Sequence, residues 1–155
     1  MQLTSLLTLA AAASAAALPS RRAAEAEAKS MMADAPEWTI QSLKRNCKGD
    51  DSRCVFEFYV DTHAKDVEPT WCKFAIDAEE GGAASQTDGP AQECGNFTVT
   101  SGWSGQFGPD QGFTVLSIVD YAKRLIIWGG YTDKQIQSGK PVKPDQSYAP
   151  VSIPE

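Results

Sequence analysis

The sequence predicts an all-β domain, a compact antiparallel β-barrel or sandwich with one short helix and two disulfides. Three observations lead there. Short segments of alternating or β-branched and aromatic character recur between Trp38 and Trp128. Gly, Pro, Asp and Asn punctuate the gaps between them. Four cysteines, Cys47, Cys54, Cys72 and Cys94, all fall inside that stretch, as suits a small domain braced by oxidised pairs.

Taken in order, the expected strands are Trp38 to Leu43, Cys54 to Val60, Trp71 to Ile76, Phe97 to Gly102, Phe113 to Asp120 and Leu125 to Trp128. In the second, Cys54, Phe56, Phe58 and Val60 share one face while Glu57 and Tyr59 take the other, so the Phe face is the buried one. Turn chemistry is concentrated in Gly102-Trp-Ser-Gly105, Gly108-Pro-Asp-Gln-Gly112 and Gly129-Gly130. Thr132 and Gln135 form a capping box, Ile136 supplies an apolar contact, Gly139 suits a C-terminal cap and Pro141 prevents continuation, which predicts a helix of one or two turns. Beyond it, Pro141, Pro144, Pro150 and Pro154 predict an extended tail. Tyr148, Val151 and Ile153 offer apolar contacts there without a pattern that predicts a strand.

The part before the domain reads differently. Residues 1–17 contain Met1, four Leu and seven Ala but no charge, and end in Ala15-Ala16-Ala17, the small-residue pattern that signal peptidase accepts. The run is too short for a membrane-spanning helix, and it lacks the usual basic residue at its start. A signal peptide over 1–17 is expected, then a disordered leader over 18–36 with a candidate dibasic processing site at Arg21-Arg22, then a single domain over 37–155. The 14 Lys and Arg against 20 Asp and Glu, a net charge of −6, exclude a phosphate-backbone binder. No further segment is apolar enough to cross a membrane, so a soluble, secreted, extracellular protein is expected, with neither nucleic acid nor membrane as a partner.

The cysteine spacings contain no CxxC and are accompanied by one histidine, which argues against zinc. Three pairings are open. The turn residues between Cys47 and Cys54 favour a bridge clamping a hairpin loop, which would leave Cys72 for Cys94; loop-closure entropy for the two is about 2.5 and about 3.4 kcal/mol. Asn96-Phe-Thr98 is an N-glycosylation acceptor.

No catalytic set emerges. His63 lies in a polar, turn-like stretch without a nucleophile beside it, and no Gly-x-Ser-x-Gly elbow is present. Among the acids Asp120 has the most apolar surroundings, but it is equally well placed to start the turn that follows it. Asp50-Asp51 lacks EF-hand spacing. No cofactor or metal is expected. The most unusual segment is Ser101 to Gly112, where Trp103 and Phe107 form a candidate recognition surface, or else cap one end of the domain.

The runs Phe97 to Pro109, Gly112 to Asp120, Leu125-Ile-Ile-Trp128 and Tyr131-Thr-Asp-Lys-Gln135, with the spacing of the four cysteines, resemble the secreted protein elicitors of filamentous fungi in the Alternaria major allergen-like domain family. The similarity spans Trp38 to Tyr148. It implies a compact asymmetric β-barrel with sequentially paired disulfides. It also implies a non-enzymatic role in which the plant perceives the apoplastic protein and answers with defence or hypersensitive cell death, with thaumatin-like pathogenesis-related proteins as partners. The wider family includes a covalent dimer made through an extra cysteine; this chain has no fifth Cys, so a disulfide-linked dimer is not expected and a monomer is. The alternative is a carrier of phenolic or flavonoid molecules in an apolar barrel cavity, with Trp38, Trp71, Trp103 and Trp128 as reporters.

Overall fold

The computed structural model describes residues 32–154. The expected signal peptide and residues 18–31 of the leader, Arg21 and Arg22 included, lie outside the described residues. Among those described, the chain forms β1 (Trp38–Cys47), β2 (Arg53–Asp61), β3 (Thr70–Asp77), a 3-10 turn (Ala84–Gln86), β4 (Gly89–Cys94), β5 (Phe97–Ser104), β6 (Phe113–Asp120), β7 (Leu125–Thr132), α1 (Asp133–Ile136), β8 (Gln146–Tyr148) and β9 (Val151–Ser152). The six expected strands are all present. The capping box holds, with the Gln135 side chain accepting from the Thr132 N–H at 2.8 Å.

Two antiparallel sheets face each other, one in the order β3-β2-β1-β8 and one in the order β4-β5-β6-β7-β9. Their inner faces interdigitate in the manner of a sandwich. Phe56, Phe58 and Val60 point inward from β2, as their alternation requires, and meet Val99, Leu116, Ile118 and Ile127 from the other sheet in one buried cluster. Trp38 of β1 crosses the interface and packs edge-on against Phe97 of β5, with ring centroids 5.3 Å apart.

The alternative of a closed barrel is not what forms. Closure would require a hydrogen-bonded ladder between β3 and β4 and another between β8 and β9, and the two sheets share neither. Each open side is instead joined by other means. The Cys72–Cys94 disulfide links β3 to β4, and the Gln92 amide of β4 donates to the Ala75 carbonyl of β3 at 3.0 Å. On the opposite side the chain itself crosses from β8 to β9 through Ala149 and Pro150. Cys47–Cys54 spans a register pair at the mouth of the β1–β2 hairpin. Both pairings are those the hairpin reading and the family resemblance imply.

The proline-rich tail is extended, and it also forms strands. Tyr148, Ser147 and Gln146 pair with Trp38, Thr39 and Ile40, and Val151 pairs with Ile126 of β7. Met32 bridges to Val151, and the Ala33 N–H donates to the Pro150 carbonyl at 3.0 Å, so backbone pairing begins ahead of Glu37.

One irregularity governs the end of the molecule discussed below. In β1 the register slips between Gln41 and Lys44, with Ser42 at φ 53°. Trp38 and Ile40 face inward before this bulge, and Leu43 and Arg45 face inward after it. Strict alternation from Trp38 would have buried Ser42 and Lys44 instead. The tail holds the bulge: the Ser42 N–H donates to Asp145 at 2.9 Å and the Val142 N–H to the Leu43 carbonyl at 2.7 Å.

Candidate functional site

Arg45, delivered inward by the bulge, is 4% exposed. An arginine so buried needs partners for its charge and its five donors. Its Nη1 donates to the Ser85 carbonyl and to Asp133 Oδ1, each at 3.1 Å, whereas its buried Nε has no partner. Asp133 opens α1, and its N–H donates to the Gly112 carbonyl at 2.9 Å. The other oxygen of Asp133 accepts the Trp103 indole N–H at 3.0 Å. One carboxylate therefore ties β1, the end of β5 and the start of the helix together.

Trp103 is half-buried and rigidly held. Its backbone N–H donates to Asp88 at 2.7 Å, and the ring lies so close to Gly105 and Gly112 that a Cβ on Gly105 would stand 2.5 Å from it. The β1–β2 loop completes the arrangement: Asp51 accepts from the Ser85 N–H at 3.0 Å and from its hydroxyl at 2.5 Å. Within that loop the Ser52 hydroxyl and N–H both donate to Asp50 and hold its carboxyl below the usual range.

These elements enclose an open cleft of about 830 Å³ at one end of the sandwich. Its charged lining is balanced, with Arg45, Lys48 and Lys134 against Asp51, Asp110 and Asp133. A second cleft of about 390 Å³ adjoins it, lined by Glu79, Glu80 and Asp88 and sharing Gln86 and Trp103 with the first. Trp103 therefore stands on a groove, and Gln86 stands where its two parts meet.

Phe107, the other candidate of the pair, is 69% exposed at the tip of the loop over 105–112 and stacks on Phe113 with centroids 5.8 Å apart. The sequence offered recognition or capping for both rings, and the fold separates them: Trp103 is part of a wall and Phe107 projects. Asn96 is exposed at the two-residue turn between β4 and β5. Asp120 is buried and accepts the Lys123 N–H at 2.9 Å, the turn-starting arrangement. Cys47, Asp51 and Cys54 converge, but both sulfurs are consumed in their disulfide and offer no thiolate.

His63 has a hydroxyl partner that the sequence reading did not supply. Thr39 Oγ1 lies 2.7 Å from its Nε2, Ser147 Oγ lies 2.8 Å from Thr39, and Asp61 is 3.5 Å from Nδ1. The group sits where β1, β8 and the end of β2 meet, and it fastens the loop after β2 to the sheet.

Arg45, Asp133 and Gln86 were not singled out from the sequence. A signal for Arg45 was present: the apolar positions Trp38, Ile40 and Leu43 change parity, which marks a bulge ahead of it. Asp133 and Gln86 carry no comparable mark.

Comparison with known proteins bears on the whole domain. A family model described as Effector TSP1 matches residues 39–153, from β1 through β9. A relative described as Effector TSP1, from Hypocrea virens (strain Gv29-8 / FGSC 10586), is 49% identical over 126 residues, which is 81% of this chain and 83% of the relative.

Proposed function

The chain belongs to the Effector TSP1 family, and from that premise we propose that it is a secreted fungal effector that induces plant defence or hypersensitive cell death by binding host apoplastic proteins. Family membership supports the effector role, and the two disulfides suit an oxidising extracellular setting. The observation that carries the binding mode is Phe107. Large apolar side chains presented on a well-braced loop are the usual anchors of protein recognition, because little conformational freedom is lost when they dock. Here the loop is braced by turns from Gly108 N–H to Gly105 and from Gln111 N–H to Gly108, and the Phe107 ring is backed by Phe113.

The role proposed is one of binding, and all four cysteines are used within the chain, which leaves none for a disulfide to a second copy. Leaf infiltration with oxidised mature protein tests the first part: necrosis or defence-marker induction is expected, and its absence would sink the proposal. For the binding mode, Phe107→Ala should weaken capture of a purified thaumatin-like pathogenesis-related protein by about tenfold or more, the loss typical of an interface anchor. Undiminished capture would remove Phe107 from the interface. The carrier alternative draws less support, because the sheets form an open sandwich and the clefts at its end are polar. Flavonoid quenching of tryptophan emission at micromolar concentration would favour it.

A further inference from the structure

We propose that the groove at the Trp103 end of the sandwich is a binding site for a short, neutral oligosaccharide. The inference goes beyond the effector role: the Phe107 side chain is not among the residues that line the groove, although Gly105, Gly108 and Asp110 of its loop are.

The residues of the groove match that ligand chemistry. A neutral sugar chain presents many hydroxyls, each able to donate and accept, and rings with apolar C–H faces. It is best met by fixed amide, carboxylate and guanidinium groups around an aromatic side chain. Arg45 braces the groove from beneath: its Nη1 donates to the Ser85 carbonyl and to Asp133, the carboxylate that also holds the Trp103 indole. Trp103 supplies the aromatic wall. Asp133 and the two glycines immobilise it before any ligand arrives, so little order remains to be imposed on binding. Gln86 is exposed at the junction and can reach a ligand lying in either part of the groove.

Charge selects the neutral class. The larger cleft sets three cationic side chains against three carboxylates, so it steers neither an anion nor a cation strongly. Its continuation past Trp103 holds Glu79, Glu80 and Asp88, which would repel a polyuronate. The volume of about 830 Å³ falls within the range of small-molecule sites, about 300–1,000 Å³. Such chains occur in fungal walls, as chitin and β-1,3-glucan, and in plant walls, as cellulose and xylan, and the shared pyranose chemistry is what the groove reads.

The test is titration of the oxidised mature protein with tri- to hexasaccharides of those four polymers, followed by tryptophan emission and by calorimetry. Chitosan and polygalacturonate oligomers serve as charged controls. At least one neutral series should bind and change the emission, and which series does so identifies the fungal or plant source. Gln86→Ala, which leaves every tryptophan in place, should weaken that binding about fivefold, the worth of one net hydrogen bond. Trp103→Phe should weaken it further by calorimetry. Gln86→Ala should leave the leaf response unchanged, which separates this site from the effector proposal. If none of the neutral series binds at millimolar concentration, if only a charged control binds, or if both variants bind as the parent does, the proposal is overturned.

Discussion

Gly129 shows how closely single positions are fitted. It lies in β7 with its α-carbon against the inner layer, and a Cβ there would stand 2.7 Å from Ile40 Cδ1 and 3.2 and 3.3 Å from the rings of Tyr148 and Tyr131. Ile40 and Tyr131 are buried and Tyr148 packs against the core, so none can move aside without disturbing contacts across the interface. Gly129→Ala should therefore cost about 1–3 kcal/mol through overpacking, read as a lower midpoint in denaturant with unchanged slope. Its neighbour is the control: a Cβ at Gly130 meets nothing within 4 Å, and Gly130→Ala should be neutral or slightly stabilising. The dipeptide reads from sequence as a turn, yet both residues lie within a strand, and the reason for the first is a side chain 89 positions away in the chain. The same limit applies to the groove. Trp103 was legible as an aromatic in a glycine-rich segment, whereas Asp133 became its partner only because β5 and the start of α1 meet in space. His63 and Thr39 are likewise brought together by register, since Thr39 pairs with Asp61 across β1 and β2.

At the level of elements, the two disulfides do different work. Cys47 and Cys54 already face each other as register partners in one hairpin, and their bridge reinforces a local ladder. Cys72 and Cys94 belong to different sheets that share no ladder, and their bridge closes the longer loop. Replacing Cys72 and Cys94 together by Ala should cost more, about 3.4 kcal/mol in the loop-entropy account, than replacing Cys47 and Cys54, about 2.5 kcal/mol. Denaturant midpoints of the two double variants measure the order, and the reverse order would show that the hairpin bridge carries the fold. The elements legible in the sequence were those with alternation long enough to show a face, such as Arg53–Asp61 and Phe113–Asp120. β4 was not legible because Pro90 and its polar neighbours suppress any pattern, and an edge position is where a strand tolerates proline. β8 and β9 are three and two residues long, too short for periodicity to register, and they exist because the tail is drawn across the open side of the sandwich.

For the molecule as a whole the question is what its acidity does to stability. With 20 carboxylate side chains and a net charge of −6, general repulsion would be relieved as pH falls toward the isoelectric point near 4.8, which taken alone predicts stabilisation over that range. Specific bonds oppose this. Glu57 accepts from Lys44 at 2.8 Å and Lys73 at 3.2 Å, one on each neighbouring strand, and these partners hold its carboxyl below the ordinary glutamate value of 4.5. Asp145 is held below 3.8 first by the Ser42 N–H at the β1 bulge and then by Lys143. A carboxyl whose folded value is depressed contributes stability that is complete above its unfolded value and is lost as pH falls through the folded one. At physiological ionic strength the diffuse repulsion is screened over about 8 Å, while the contacts of Glu57 and Asp145 are direct, so the specific terms decide the sign. Tm should thus be flat from pH 7 to about 5 and fall below about 4.5. Glu57→Gln and Asp145→Asn should each lower the neutral plateau and flatten the acid slope. A Tm that rises as pH falls from 7 to 5, the range in which the net negative charge is relieved, would show instead that global repulsion outweighs the contacts that tie three strands and the tail to the bulge that positions Arg45.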